Sequence, residues 1–154
     1  MIHYIPTGNI FKLPDVTSWA HGCNCAGAMG KRIALQFRNK FPAMFSIYHR
    51  MCLDGHFNPG DIYAYEYAPG CFVYNLATQK HYAIRSQLAK LEYIDASVRK
   101  TMEHAVKHGV KSIGLPKICA GLGGLNWNDV KEVLEKIGAE YPDIDLCVVE
   151  KYVP

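Results

Sequence analysis

The sequence lacks long apolar runs and a strong charge of either sign. Its apolar runs reach only about five residues, well short of the roughly 20 that a helix needs to cross a bilayer, so no membrane partner is expected. The first residues, MIHYIPTGNIFK, also lack the basic-then-apolar layout of a secretory signal. The net charge of +3 does not by itself indicate nucleic-acid binding, although it would not repel a phosphate-bearing ligand. We therefore expect a cytoplasmic protein.

The six cysteines contain no CxxC pair, which argues against a zinc ribbon and against a thioredoxin-like redox site. Cys23 and Cys25 lie close together after His21, but two thiols one residue apart would strain a shared tetrahedral metal site. We expect reduced structural cysteines, no metal and no redox cofactor.

What is present fits a single domain of residues 1–154, with 49% apolar and 20% charged residues. Strand-like and helix-like patterns alternate along the chain. They predict strands over residues 2–6, 16–23, 61–67, 71–77, 112–118 and 145–152, and helices over 31–42, 43–52, 90–108 and 130–138. Because helices lie between strands, we predict an α/β sandwich with a mixed sheet.

Two glycine-rich loops each follow a predicted strand and precede a helix. Residues 21–30 read HGCNCAGAMG, and residues 119–125 read CAGLGGL. Glycines allow close approach of the backbone, and a helix N-terminus offers unpaired N–H groups, so the two loops could hold a diphosphate from both sides. Neither loop is GxGxxG or a P-loop. The alternative is that each is a tight turn required only for packing.

A third segment, residues 78–82, follows the strand predicted over 71–77 and contains Lys80 and His81. A lysine there is usually exposed, but beside a dry pocket it could be desolvated and act as a nucleophile. His81 is a candidate acid or base, although neighbouring residues on a strand point in opposite directions. His21 is a second candidate, with a structural role as its alternative.

These segments together resemble the macro domain family, which binds ADP-ribose. The resemblance covers nearly the whole chain, and lies in residues 8–11, 21–25, 29–37, 75–81 and 115–127. It implies a three-layer α/β/α sandwich with a mixed central sheet of about six strands. The chain looks most similar to the lysine-dependent ADP-ribosyl glycohydrolases, which include the terminal ADP-ribose–protein glycohydrolase and an antitoxin that removes ADP-ribose from thymidine in DNA. The HGCNC segment is also similar to a group that dephosphorylates ADP-ribose 1″-phosphate.

The resemblance implies a role for each part of the site. Lys80 would attack, or stabilise charge at, the anomeric carbon of the distal ribose, and Asn24 would lie near that ribose. Asn9 and Ile10 would lie near the adenine, which Tyr152 would cover. The whole implied ADP-ribose site comprises Asn9, Ile10, Asn24, Gly30, Lys31, Arg32, Ile33, Ala34, Thr78, Cys119, Ala120, Gly121, Leu122, Gly123, Gly124, Leu125 and Tyr152.

Three positions depart from the family pattern. Asn9 stands where aspartate is frequent, and Arg32 stands where relatives commonly have glycine. Arg32 could clamp a phosphate, narrow the pocket or point to solvent. Gly123 stands where the protein-directed relative has its aspartate, and this departure favours a nucleic-acid substrate over ADP-ribosylated glutamate.

The resulting functional hypothesis is a hydrolase that uses Lys80 to remove ADP-ribose from a DNA base or an acidic protein side chain. An ADP-ribose 1″-phosphate phosphatase and a non-catalytic ADP-ribose reader are the alternatives. The implied partners are ADP-ribose, ADP-ribosylated DNA or protein, and a cognate ADP-ribosyltransferase. The sequence does not indicate an oligomeric state.

Overall fold

A computed structural model describes residues 1–120 and 123–154. The described chain contains strands β1 (Ile2–Ile5), β2 (Trp19–Asn24), β3 (Ile62–Ala68), β4 (Cys71–Gln79), β5 (Ser112–Pro116) and β6 (Asp145–Val149). Its α-helices are α1 (Arg32–Lys40), α2 (Pro42–Leu53), α3 (Leu91–His108) and α4 (Trp127–Glu140). Short 3₁₀ turns cover Ile10–Lys12 and Arg85–Gln87.

The strands form one sheet in the order β1-β6-β5-β2-β4-β3. β3 and β4 pair antiparallel as a hairpin, and the other neighbouring strands run parallel. The predicted mixed sheet of about six strands is therefore confirmed. Parallel pairing brings the carboxyl ends of β2, β4 and β5 to one edge of the sheet, where α/β folds place their ligands.

Alternation along β4 explains the layers. Phe72, Tyr74 and Leu76 point to one face, where they pack with α3 and α4, while Val73 and Ala77 point to the opposite face, where α1 and α2 pack. Because each face of the sheet is buried under two helices, the three-layer α/β/α sandwich is confirmed.

Several predicted element ends are confirmed, and others shift. Pro42 opens α2, and Gly109, at φ 72°, ends α3. β2 begins at Trp19 rather than at residue 16, because Asp15 has a φ of 61° and a turn over residues 13–16 delays pairing. β6 ends at Val149, opposite Ile5, where its partner β1 also ends. None of the described helices is both long and apolar enough to cross a membrane.

Candidate functional site

A cavity of about 430 Å³ opens at the carboxyl edge of the sheet, a size typical of small-molecule sites. Its walls come from the ends of β2, β4 and β5 and from the segments that follow them. The lining residues are Gly22, Cys23, Asn24, Ala28, Met29, Gly30, Lys31, Arg32, Ile33, Ala34, Thr78, Gln79, Tyr82, Pro116, Lys117, Ile118, Cys119, Ala120 and Gly123. The three strand-end segments singled out in the sequence therefore meet at one cavity.

The end of β4 departs from strand alternation, so two consecutive side chains line the cavity. Cys23 of β2 lies opposite Ala77, but the next residue, Asn24, lies opposite Gln79, so that Thr78 is passed over. Both Thr78 and Gln79 line the cavity. The buried Thr78 hydroxyl donates to the Cys23 carbonyl at 3.4 Å, which ties the two strand ends together.

Asn24 organises the loop that follows β2. Its Oδ1 atom accepts from the N–H groups of Ala26 and Ala28 at 3.0 and 3.2 Å, and its Nδ2 group donates to the Ala28 carbonyl at 2.9 Å. The Tyr48 hydroxyl donates to the Asn24 carbonyl at 2.7 Å. Since an amide Nδ2 group has two N–H bonds, one of them remains for a ligand hydroxyl.

The start of α1 lines the cavity. Lys31 precedes the helix in an extended conformation without a side-chain capping bond, and Arg32, Ile33 and Ala34 of the first turn line the cavity. First-turn N–H groups have no partner within a helix, so this end suits an anionic group. Arg32 has a φ of 52°, in the left-handed region that favours glycine.

The loop after β5 forms the opposite wall. Cys119, with a φ of 63°, Ala120 and Gly123 line the cavity, and Leu125 N–H donates to the Cys119 carbonyl at 3.0 Å, which closes the loop at its base. Gly124 and Leu125 lie in the returning part of the loop, outside the lining. Of the predicted site residues, Gly121 and Leu122 lie outside the described residues.

Lys80 follows β4 directly and is exposed. It lies between Gln79 and Tyr82, which line the cavity, but it is not itself a lining residue. Its carbonyl accepts from Cys25 N–H at 3.2 Å, which anchors the backbone beside the loop after β2. Of the two alternatives for Lys80, the structure without a ligand shows the exposed one, next to residues that line the cavity, so desolvation of its amine would require a bound substrate.

His21 is fully buried and does not line the cavity. Its ring stacks on Phe37 at 4.0 Å, and Nε2 donates to the Asn75 Oδ1 atom at 2.6 Å, an orientation fixed because Asn75 Nδ2 donates to the Tyr63 carbonyl. Burial lowers the pKa of His21 to about 4. The expectation of an acid or base role in the pocket is therefore corrected, and His21 is a neutral core residue.

His81 also lies outside the lining, partly exposed beside Lys80. Its Nδ1 atom accepts from Ala83 N–H at 3.0 Å, and its ring stacks on Tyr82 at 4.5 Å. These contacts order the segment after β4 rather than direct His81 into the cavity.

The predicted adenine residues lie beyond the cavity lining. Asn9 Oδ1 accepts from Phe11 N–H at 2.9 Å, and Tyr152 is adjacent because its backbone pairs with Gly8. The Ile10 side chain is only 1% exposed and belongs to the core, and its carbonyl accepts from Trp19 Nε1.

Sequence reasoning missed three polar residues of the lining, namely Gln79, Tyr82 and Lys117. Tyr82 is 54% exposed, although it is a large aromatic residue. The sequence signal that could have identified Tyr82 was its position just after a strand end, between basic residues. No such signal exists for Gln79, because its place in the lining depends on the irregular pairing at the end of β4.

The two cysteines that line the cavity, Cys23 and Cys119, contribute apolar surface rather than a nucleophile. Burial raises the pKa of the Cys119 thiol to about 12 and that of Cys23 well above its usual range. Both thiols therefore stay neutral near pH 7. Within residues 1–120 and 123–154, no group of three His, Cys, Asp or Glu side chains could hold a metal ion.

Comparison with known proteins gives consistent matches. The family model described as "Macro domain" matches residues 20–134. The chain is 31% identical over 137 residues to a DNA ADP-ribosyl glycohydrolase of Mycobacterium tuberculosis, covering 87% of this chain and 38% of that protein. It is 28% identical over 141 residues to the human ADP-ribose glycohydrolase OARD1, covering 92% and 86% of the two chains. It is also 49% identical over a shorter stretch of 45 residues to an ADP-ribose 1″-phosphate phosphatase of Aspergillus clavatus, covering 29% of this chain and 23% of that protein.

Among solved structures, the macrodomain of Mycobacterium tuberculosis DarG has a TM-score of 0.87 at 30% identity, covering 100% of this chain and 98% of that one. This chain thus spans about two fifths of the mycobacterial glycohydrolase but nearly the whole of that solved macrodomain.

Proposed function

This chain belongs to the macro domain family, and from that premise we propose that it binds ADP-ribose in the cavity and hydrolyses the bond between the distal ribose and a modified macromolecule. The observation that supports this proposal most is that one cavity at the carboxyl edge of the sheet has two walls, one from residues 31–34 at the start of α1 and one from Cys119, Ala120 and Gly123 after β5. We propose also that residues 1–154 form a single macro domain, since the sheet extends from β1 to β6.

In this proposal the two walls hold the diphosphate. First-turn N–H groups of residues 32–34 approach it from one side, and Cys119, Ala120 and Gly123 approach it from the other. The distal ribose then lies toward Asn24 and Thr78, and the adenine extends toward Asn9 and Tyr152. Because neutral backbone dipoles hold the phosphates, no metal is needed for binding.

Lys80 acts on the distal ribose from the mouth of the cavity. As a neutral amine it would form a bond to the anomeric carbon while the bond to the macromolecule breaks, and water would then release free ADP-ribose. As an ammonium ion it would instead stabilise the charge that develops while water attacks the same carbon. The nucleophilic role requires the bound substrate to cover Lys80, because desolvation favours the neutral amine over the ammonium ion.

The modified macromolecule would be a DNA base or an acidic protein side chain, and the name of the mycobacterial relative, a DNA ADP-ribosyl glycohydrolase, supports DNA. A cognate ADP-ribosyltransferase would supply it. We propose a cytoplasmic location as well, where the free thiols found among the described residues are ordinary.

A phosphatase acting on ADP-ribose 1″-phosphate is the second candidate, and the match to the Aspergillus enzyme favours it. The buried, neutral His21 in the HGCNC segment offers no acid or base to such a reaction. A reader that binds without turnover is the third candidate.

One chromatographic assay separates the three candidates, since every reaction releases free ADP-ribose. Wild-type protein is incubated with ADP-ribosyl-thymidine DNA, glutamate-ADP-ribosylated protein and ADP-ribose 1″-phosphate, with ADP-ribose binding measured by calorimetry in parallel. We expect release from the DNA or the protein. Release only from the 1″-phosphate would replace the glycohydrolase with the phosphatase, and binding without release would leave a reader.

A further inference from the structure

Charge is distributed unevenly in this chain, although the net charge is small. Residues 16–53, 67–91 and 104–128 contain no Asp or Glu, so all 14 carboxylate side chains belong to the rest of the sequence. The same three segments contain most of the Lys and Arg residues, and they supply β2, β4, β5 and every lining residue of the cavity. The fold therefore gathers basic residues that are dispersed in the sequence.

Five of these cations either line the cavity or lie in the segment after β4 that contains the lining residue Tyr82, and we call them the basic rim. Three of them line the cavity, and two lie on either side of Tyr82 in the segment after β4. All five side chains are exposed, and the ion pairs found in the part of the chain that the structure describes involve none of them. The basic rim consists of Lys31, Arg32, Lys80, Arg85 and Lys117. Exposed cations without carboxylate partners attract a polyanion.

Tyr82 presents an aromatic surface within this rim. It lines the cavity while remaining 54% exposed, and the His81 ring stacks on it with an interplanar angle of 21°. His81 is itself held, because its N–H donates to the Gln87 carbonyl at 2.9 Å and its Nδ1 accepts from Ala83 N–H. A tyrosine supported in this way between cations is the arrangement on which unpaired bases stack.

We propose that the basic rim and Tyr82 dock the single nucleic-acid strand that carries the ADP-ribosyl group. Tyr82 stacks on a base next to the modified nucleotide, and the rim cations other than Lys80 contact the flanking phosphates. The strand is single because a base within a duplex has no free face for the tyrosine. This inference rests on the proposed function, since the ADP-ribosyl group anchors the strand in the cavity. An acidic protein would be attracted by the cations but would not need the aromatic surface.

The test compares the same modified nucleoside with and without its strand. ADP-ribose release is measured from ADP-ribosyl-thymidine and from a short single-stranded oligonucleotide containing it, each at low and high salt, with glutamate-ADP-ribosylated protein as a third substrate. For wild type we expect kcat/KM to be at least about tenfold higher on the oligonucleotide, with the advantage shrinking as salt rises.

Three variants and one control show which residues give the oligonucleotide its higher kcat/KM. Tyr82→Ala is expected to lower the ratio of oligonucleotide to nucleoside kcat/KM by about tenfold, whereas Tyr82→Phe keeps the ratio because the ring remains. Arg85→Gln, which lies outside the cavity lining, is expected to reduce the salt slope by about 0.7 on the oligonucleotide and to leave the nucleoside reaction unchanged. Lys136→Gln is the matched charge control, since exposed Lys136 lies near Gly138, which packs on Ile2 at the far edge of the sheet.

The outcomes separate this inference from the proposed function. Equal kcat/KM on nucleoside and oligonucleotide would overturn strand docking while leaving the hydrolase intact. A higher kcat/KM on the modified protein than on the oligonucleotide, lost in Tyr82→Ala, would overturn strand docking and indicate a protein substrate. No release from any of the three substrates, together with no ADP-ribose binding, would overturn both the inference and the proposed function.

Discussion

Arg32 combines a charged side chain at the cavity with a left-handed backbone, φ 52°, at the first residue of α1. A Cβ atom in this region costs about 1–2 kcal/mol, which glycine does not incur. We therefore expect Arg32→Gly to be more stable than Arg32→Ala by about 1 kcal/mol, because both lose the charge but only glycine relieves the strain. Urea unfolding of the two variants checks this, and equal stabilities would contradict it.

His21 couples folding to pH. Its folded pKa is about 4 and its unfolded pKa is about 6.5, so between these values the unfolded chain binds a proton that the folded chain does not. The contribution of His21 to stability is therefore complete above pH 6.5 and is lost as the pH falls toward 4, by about 3 kcal/mol. Unfolding free energies measured from pH 7 to 4 should fall more steeply in wild type than in His21→Gln.

The exposed His56 provides the control for that comparison, since His56→Gln removes an imidazole without removing a buried one. If the unfolding free energies of wild type and His21→Gln fell in parallel with pH, the low pKa of His21 in the folded state would be contradicted. This difference in slope is more informative than the stability of either variant at pH 7.

At the scale of elements, the site depends on how closely β2, β4 and the loop after β5 approach each other. A Cβ atom on Gly22 would lie 2.9 Å from Thr78 Oγ1 and 3.3 Å from Cys119 Sγ. We expect Gly22→Ala to destabilise the fold by about 1–3 kcal/mol and to weaken ADP-ribose binding, because Thr78 and Cys119 must move.

Gly30→Ala is the matched control for Gly22→Ala, since no atom lies within 4 Å of its Cβ position. Its unfolding free energy should stay within about 0.5 kcal/mol of wild type in chemical denaturation. If Gly22→Ala proved as stable as Gly30→Ala, the proposed tight junction of the three elements would be wrong.

The elements themselves could be predicted because their determinants are local. The apolar spacing of α3, the glycine at position 109 that ends it and the alternation of β3 are all visible in the sequence. The strand-end loops were located for the same reason, since glycines mark them. What could not be predicted was the depth of each side chain: Lys80 is exposed and His21 is buried because of neighbours from other elements.

At the scale of the whole molecule, a net charge of +3 conceals a separation of charges. The carboxylates belong to segments that do not line the cavity, while three of the five cations of the basic rim line it. Total charge is additive along the sequence, but the local field depends on which segments the sheet brings together. For this reason the net charge of the chain does not give the charge beside the cavity.

The central claim is that the cavity binds ADP-ribose and that Lys80 acts in its removal. The most direct measurement is a single-turnover time course of ADP-ribose release from the preferred substrate, for wild type, Lys80→Ala and Lys80→Arg. The Kd for free ADP-ribose is measured by calorimetry on the same samples. We predict that Lys80→Ala binds ADP-ribose but releases it at least about 100-fold more slowly.

Lys80→Arg distinguishes the two roles, since it keeps the positive charge but not an amine that can attack: substantial activity indicates charge stabilisation, and loss equal to that of Lys80→Ala indicates a nucleophile. Wild-type release that persists unchanged in Lys80→Ala, or a Kd that weakens in step with the rate, would contradict a catalytic Lys80.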